Sequence, residues 1–212
     1  GGDKKESIDL GLADLNTALE KDPKRVETVI TLGKLYRTVW QRDGSHLDDA
    51  IGNYKKAREL DPQNPLIALE LAALTESAGR YPEAIENYEA VLRLDQDQAG
   101  AKNNLAWLLA DNANATPADL DRALQLAQDA KNAMPNDPSV ADTLGWVMYK
   151  KGIPSAAIAL FRESIDGYPE GQPMRGTLAT PGWLSQAWPA SGPHPPMSAS
   201  PAAAPSPARP PT

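Results

Sequence analysis

The chain has 212 residues, with 28 acidic residues against 21 basic ones and a formal net charge of −7 at pH 7. An acidic chain disfavours a nucleic-acid backbone or an anionic lipid surface as the main partner, because phosphates attract a basic stripe. The sequence contains no cysteine, which excludes disulfides, thiolate catalysis and zinc–thiolate sites.

The first predicted element is a single helix without a helical partner before it. Residues 1–6 resemble an artificial or disordered start. From there Gly11, Leu15, Ala18 and Pro23 follow the spacing at which Ala50, Tyr54, Ala57 and Pro62 recur later in the chain. Residues 7–21 are therefore predicted to form the second helix of a half unit, 7–23, whose first helix is missing.

Four complete units follow this half unit. Leucine followed by a small residue recurs at intervals of 39, 34 and 39 residues, and an alanine recurs at intervals of 34, 39 and 34. The leucine series consists of Leu32-Gly33, Leu71-Ala72, Leu105-Ala106 and Leu144-Gly145, and the alanine series of Ala50, Ala84, Ala123 and Ala157. The offset between the series indicates that units one and three each carry five extra residues between their two helices. The predicted units span about 26–64, 65–98, 99–137 and 138–171.

Further landmarks hold the same register. Four residues after each alanine stand Tyr54, Tyr88, Ala127 and Phe161, and each unit closes at Pro62, Gln96, Pro135 or Pro169. The pattern resembles the tetratricopeptide repeat, a helix-turn-helix unit of 34 residues. The resemblance covers residues 7–170. It implies an all-α fold, a right-handed superhelical α-solenoid of about four and a half units.

Several helix starts are marked by local signals. Asn64-Pro65 and Asp137-Pro138 are typical of an N-cap followed by proline at the first helical position. Ser45 with Asp48, and Thr116 with Asp119, are predicted to form capping boxes with aspartate at the third position. Beyond the last unit, residues 172–212 are rich in proline and alanine. This tail is predicted to be disordered or non-native, with the alternative that Trp183, Leu184 and Trp188 fold back over the last unit.

No catalytic motif is found in the sequence. It lacks a glycine-rich phosphate loop, a paired-histidine zinc motif and a nucleophile elbow. His46 lies beside Asp48 and Asp49, but a solvated helix start explains all three better than a metal site does. We therefore expect a protein that is not an enzyme, with no cofactor, no metal and no segment that spans a membrane.

The family resemblance implies where a partner binds. In such solenoids the first helix of each unit lines the concave groove, and helical spacing selects the side chains that face it. The candidates are Lys34, Arg37, Glu70, Ala73, Glu76, Asn103, Trp107, Asp111, Asp142, Trp146 and Tyr149. Trp107 and Trp146 have two interpretations, either core packing between helices or an aromatic floor for a partner.

The functional hypothesis is a scaffold that binds a protein or peptide in this groove. Family members that clamp the C-terminal carboxylates of chaperones use basic residues in the third unit, where this chain has Gly100 and Asn104. The segments Asn104–Ala110 and Asp142–Gly152 resemble bacterial members linked to the cell envelope and exopolysaccharide export. The compartment stays open between periplasm and cytoplasm, with periplasm favoured. Alternatives are a homo-oligomer that assembles through its uncapped ends, or the non-catalytic repeat region of a larger enzyme.

Overall fold

The structure is a computed structural model that describes the backbone of residues 2–167 and the side chains of residues 7–167. Within this range the chain forms nine α-helices and no strand. The helices are α1 (Gly2–Lys21), α2 (Val26–Asp43), α3 (Leu47–Leu60), α4 (Pro65–Ser77), α5 (Tyr81–Leu94), α6 (Ala99–Asp111), α7 (Pro117–Ala133), α8 (Pro138–Lys150) and α9 (Pro154–Gly167).

The helices pack as successive pairs along the chain. The most extensive contacts join α2 with α3, α4 with α5, α6 with α7, and α8 with α9, and each second helix also packs against the first helix of the next unit. Helix α1 packs against α2, and α6 contacts α8 directly. This arrangement confirms the predicted all-α solenoid, with four complete units preceded by half a unit.

The repeating small residues bring the two helices of a unit close together. A Cβ atom added at Gly33 would lie 3.2 Å from the Tyr54 ring, and one added at Gly145 would lie 2.9 Å from the Phe161 ring. Leu71 and Leu105 are completely buried beside the small residues that follow them. Burial of each such leucine stabilises the fold by roughly 1.5–3 kcal/mol.

The five extra residues of units one and three enter the structure in different ways. Helix α2 has 18 residues where α4, α6 and α8 have 13, so the first insertion lengthens a first helix. In unit three, α6 keeps 13 residues. The insertion instead lengthens both the connection from α6 to α7 and helix α7, which has 17 residues against 14 in α5 of unit two.

Helix α1 begins at Gly2, inside the segment 1–6 for which the sequence predicts an artificial or disordered start. On this helix, one of the repeated small positions is not buried. Ala18 is exposed, whereas Ala57, Val91, Ala130 and Ser164 are buried at the equivalent positions of the four complete units.

The predicted helix starts are observed with one exception. The Asn64 and Asp137 side chains cap α4 and α8, and Thr116 with Asp119 forms a complete capping box. The predicted capping box at Ser45 and Asp48 is wrong, because His46 is the N-cap residue of α3. Ser45 donates both its N–H and its hydroxyl to Asp43 instead.

The predicted tail, 172–212, lies outside the described residues, as do Trp183, Leu184 and Trp188. In the described part of the chain, no helix combines the length and the apolar character needed to cross a bilayer.

Candidate functional site

The groove candidates all lie on the first helices of their units, α2, α4, α6 and α8. Each unit has one small residue that follows the repeated leucine, namely Gly33, Ala72, Ala106 or Gly145. Most of the candidates lie three residues before, one residue after or four residues after this small residue. We call the surface formed by these side chains, together with Glu70 and Asp111, the inner surface. Its two halves differ in chemistry.

In the half formed by α2 and α4, charged side chains are largely engaged with each other. Arg37 donates a hydrogen bond to Glu70 of the next unit, and both side chains keep about a third of their area exposed, at 31% and 34%. Burial and the Glu70 carboxylate together raise the pKa of Tyr54, which lies under this pair, to about 12. Arg37 and Glu70 therefore tie unit one to unit two.

Glu76 is also part of a link between units. Its carboxylate accepts a hydrogen bond from the Tyr88 hydroxyl at 2.5 Å, and the same hydroxyl accepts one from Asn104 Nδ2 at 2.8 Å. These two hydrogen bonds join α4, α5 and α6. Lys34 differs from these residues, because its ammonium group is exposed and forms no ion pair within the described residues.

In the half formed by α6 and α8, the structure separates core residues from accessible ones. Asn103 and Asp142 are only 4% and 1% exposed, and Trp146 is 7% exposed. The Trp146 ring contacts Tyr149, with a centroid distance of 5.6 Å, and the Lys150 ammonium lies 5.3 Å from its centroid. Trp146 is thus mainly a core residue.

Trp107 and Tyr149 remain partly accessible on the adjacent first helices α6 and α8. Trp107 makes an edge-to-face contact with Tyr81, at a centroid distance of 6.3 Å, and Tyr81 is itself 48% exposed. We call the three partly exposed aromatic side chains Tyr81, Trp107 and Tyr149, which belong to α5, α6 and α8, the aromatic patch. Tyr81 was missed in the sequence because it lies at the start of a second helix.

Asp111, at the end of α6, borders this region. Desolvation by burial raises its pKa, while the positive charge of Lys150 and the Trp146 indole oppose that rise. Both groups that oppose the rise belong to α8, so the Asp111 carboxylate lies on the side of α6 that faces this helix.

A small cleft opens between α2 and α4, with a volume of about 230 Å³. Its apolar walls include Ile30, Leu66 and Leu69, and Lys34 stands at its edge. Sequence analysis missed these aliphatic residues. Ile30 and Leu69 nevertheless occupy the position three before the small residue, the one that Asn103 and Asp142 fill in the later units.

Nothing in the described residues groups three or more potential metal ligands. His46 Nδ1 lies 2.7 Å from Asp49 Oδ2, with both side chains about half exposed. The His46 ring stacks on Tyr36 at a centroid distance of 5.4 Å. A solvated helix start therefore accounts for the position of His46.

About half of the chain matches the model of a known repeat family. Residues 41–86 and 76–141 match the family model described as the tetratricopeptide repeat. The matched range runs from the end of α2 to the first turn of α8.

Individual relatives share only part of their length with this chain. The Superkiller complex protein 3 of Mus musculus is 33% identical over 94 residues, which is 44% of this chain and 6% of that protein. A TPR repeat-containing protein of Pseudomonas aeruginosa is 25% identical over 109 residues, 51% of this chain and 18% of its own. Among solved structures, the crystal structure of MamA protein aligns with a TM-score of 0.64 and 21% identity, covering 77% of this chain and 84% of that one. This last similarity concerns the fold.

Proposed function

Because the chain is an all-α solenoid of tetratricopeptide repeat units, we propose that it is a scaffold that binds a polypeptide along its inner surface. Such repeats generally mediate protein–protein interactions, and stacked units create an extended concave surface for them. The proposal is consistent with the acidic composition, which disfavours nucleic acid.

The observation that carries the proposal is the aromatic patch. Trp107 and Tyr149 come from two first helices that touch each other, and Tyr81 packs edge-on against Trp107. Tryptophan and tyrosine are enriched among the residues that dominate interface energies, because they bury a large area at little conformational cost. Partly exposed aromatic side chains on adjacent units therefore provide anchor points for a bound chain.

The experiment compares variants of the patch with a matched tryptophan elsewhere. Trp107→Ala combined with Tyr149→Ala should weaken capture of the partner at least roughly tenfold, as expected when two aromatic contacts are lost. Trp40→Ala is the control, since Trp40 is also half-buried on a first helix but packs in a separate cluster around Ala50 and Tyr54. Arg37 and Trp146 are poor test positions, because one holds an inter-unit ion pair and the other fills the core.

Binding is measured by affinity capture with quantitative mass spectrometry, and folding is checked by circular dichroism. A polypeptide retained by the wild type and by Trp40→Ala, but lost from the double variant, supports the proposal. Equal retention by all three proteins, with helicity intact, would contradict it.

We further propose that the partner belongs to a bacterial cell-envelope or polysaccharide-export assembly, with periplasm as the favoured compartment. The support is the resemblance of residues 104–110 and 142–152 to bacterial tetratricopeptide proteins of that kind. Crosslinking in intact bacteria, followed by identification of the crosslinked proteins, tests this. Exclusively cytosolic partners would remove the envelope assignment and leave the scaffold proposal standing.

Self-association is a second candidate function, favoured by the packing of α1. Ala18 is exposed although its equivalents are buried in every complete unit, so a helix from a second copy could cover this face. Light scattering over a range up to several hundred micromolar measures the mass of the particle. A constant monomer mass over that range would exclude this candidate.

A further inference from the structure

The cleft between α2 and α4 has the size of a side-chain pocket. Its volume of about 230 Å³ lies below the roughly 300–1,000 Å³ that is usual for small-molecule and cofactor sites. It lies on the inner surface, one unit away from Trp107. A side chain of a bound polypeptide is therefore the occupant that its size fits.

One wall of the cleft is formed by an aliphatic side chain that is largely exposed to solvent. Leu66 is 69% exposed, because the Asn64 cap and Pro65 fix it in the first turn of α4. Ile30 and Leu69 continue the wall into the cleft. An aliphatic side chain placed here would bury apolar area on three sides, which favours binding.

Among the residues that the structure describes, one charged group at the cleft has no oppositely charged partner. Glu70 is neutralised by Arg37, and both ends of the Asn64 amide are used, by the Leu66 N–H and by Asp61. The Lys34 ammonium is exposed at the edge and forms no ion pair within the part of the chain that the structure describes. Charge complementarity therefore selects an anionic group beside the apolar one.

The spacing of the two features fixes the pattern of the ligand. Ile30 and Lys34 are one helical turn apart on α2, and such side chains stand about 5–6 Å apart at Cβ. An extended peptide rises about 3.3 Å per residue, and every second side chain points to the same side. Two ligand residues that are two positions apart thus match the distance from the apolar wall to Lys34.

We propose that this cleft binds an extended segment of a partner polypeptide in which an aliphatic residue and an aspartate or glutamate stand two positions apart. The aliphatic side chain packs against Ile30, Leu66 and Leu69, and the carboxylate accepts a hydrogen bond from the Lys34 ammonium. The inference rests on the proposed function, since it names the chemistry that one end of the same inner surface recognises.

The test is a titration of the isotope-labelled full chain with a synthetic peptide, followed by nuclear magnetic resonance. The probe is acetyl-Gly-Ser-Leu-Ser-Glu-Ser-Gly-amide. We expect saturable shifts of the amide signals of Ile30, Lys34, Leu66 and Leu69. Replacing the peptide's leucine by serine should weaken binding about tenfold or more, and replacing its glutamate by glutamine about two- to fivefold.

Charge exchange provides the decisive comparison. Lys34→Glu should weaken binding of the glutamate peptide and strengthen binding of a peptide with lysine in its place. Lys24→Glu, which makes the same change of net charge at an exposed position before α2, should do neither. Leu66→Ser should weaken both peptides while leaving helicity unchanged, because the side chain is mostly exposed.

Three outcomes would overturn the inference. The first is that Lys34→Glu affects binding no more than Lys24→Glu does. The second is that the peptide shifts the signals of Trp107 and Tyr149 instead of those around the cleft. The third is that a peptide ending in Leu-Ser with a free C-terminal carboxylate binds more tightly than the probe with its internal glutamate. In each case the scaffold proposal is unaffected. It fails separately, if the aromatic-patch variant captures its partner as the wild type does.

Discussion

At the residue scale, the fold depends on where a side chain is absent. Gly145 lies so close to the Phe161 ring that an added Cβ atom would stand 2.9 Å from it, and Gly33 lies nearly as close to Tyr54. Gly52, on α3, faces open space. The first two glycines permit helix contact, whereas Gly52 only weakens its helix, because glycine has more backbone entropy to lose than alanine.

These environments predict opposite effects for the same substitution. Gly145→Ala should lower the free energy of unfolding by about 1–3 kcal/mol, since it overpacks α8 against α9. Gly52→Ala should raise it by about 0.5–1 kcal/mol through helix propensity. Urea denaturation of both variants measures the two values. If Gly52→Ala destabilises the protein, or if Gly145→Ala leaves its stability unchanged, then Gly52 does not face open space or Gly145 is not needed for the contact between α8 and α9.

At the scale of the element, helix ends are set by local hydrogen bonds. The box of Thr116 and Asp119 begins α7 just after the longer connection of unit three. At α3 the predicted capping box does not form, because the Ser45 hydroxyl donates its hydrogen bond to Asp43. The N-cap residue is His46, which has a positive φ of 64°. A cap therefore forms only where no neighbouring side chain competes for the capping group.

The capping box of α7 should make the stability of the chain depend on pH. Hydrogen bonds from the Thr116 side chain and backbone lower the pKa of Asp119 below its ordinary value of 3.8. Its contribution is thus complete above pH 3.8 and disappears as the pH falls from there through the folded pKa. Asp119→Asn should be less stable than the wild type at pH 7, and the difference should shrink in this acidic window.

Denaturant midpoints for the two proteins between pH 7 and pH 2.5 provide the measurement. Asp14→Asn serves as a control for loss of an exposed charge on another helix. A difference between wild type and Asp119→Asn that stays constant down to the lowest pH would rule out this origin.

At the scale of the whole molecule, each unit is stabilised by its neighbours. Ion pairs recur at the repeat spacing, including Arg37 with Glu70, Arg122 with Glu89 and Lys131 with Glu163. They are partly exposed, so each contributes at most about 1 kcal/mol, and the buried contacts between successive helices dominate. Stability in such a stack is a sum of unit and interface contributions.

A stack of this kind should be less stable at α1 than in its interior, because among the described helices α1 makes extensive contacts only with α2. Amide hydrogens in α1 should exchange at least roughly tenfold faster than those in α5, which is enclosed between α4 and α6. Hydrogen exchange followed by mass spectrometry resolves the two segments. Equal protection of α1 and α5 would mean that another contact stabilises this end.

The sequence by itself determined the repeat and hence the fold. Its period, its small residues and its helix-ending prolines are local or regularly spaced features, so they are legible without coordinates. The Asn64, Asp137 and Thr116 caps were equally accessible, because each depends on residues only two or three positions apart. The groove candidates also followed, as positions on helices.

Only the tertiary structure decided which of those positions are accessible and which are engaged. Asn103, Asp142 and Trp146 share their helical positions with Ile30 and Lys34, yet contact between α6 and α8 buries them. Arg37 faces the surface but is paired with Glu70, 33 residues away. Burial and ion pairing depend on side chains from neighbouring units, and helical spacing within one unit contains no information about them.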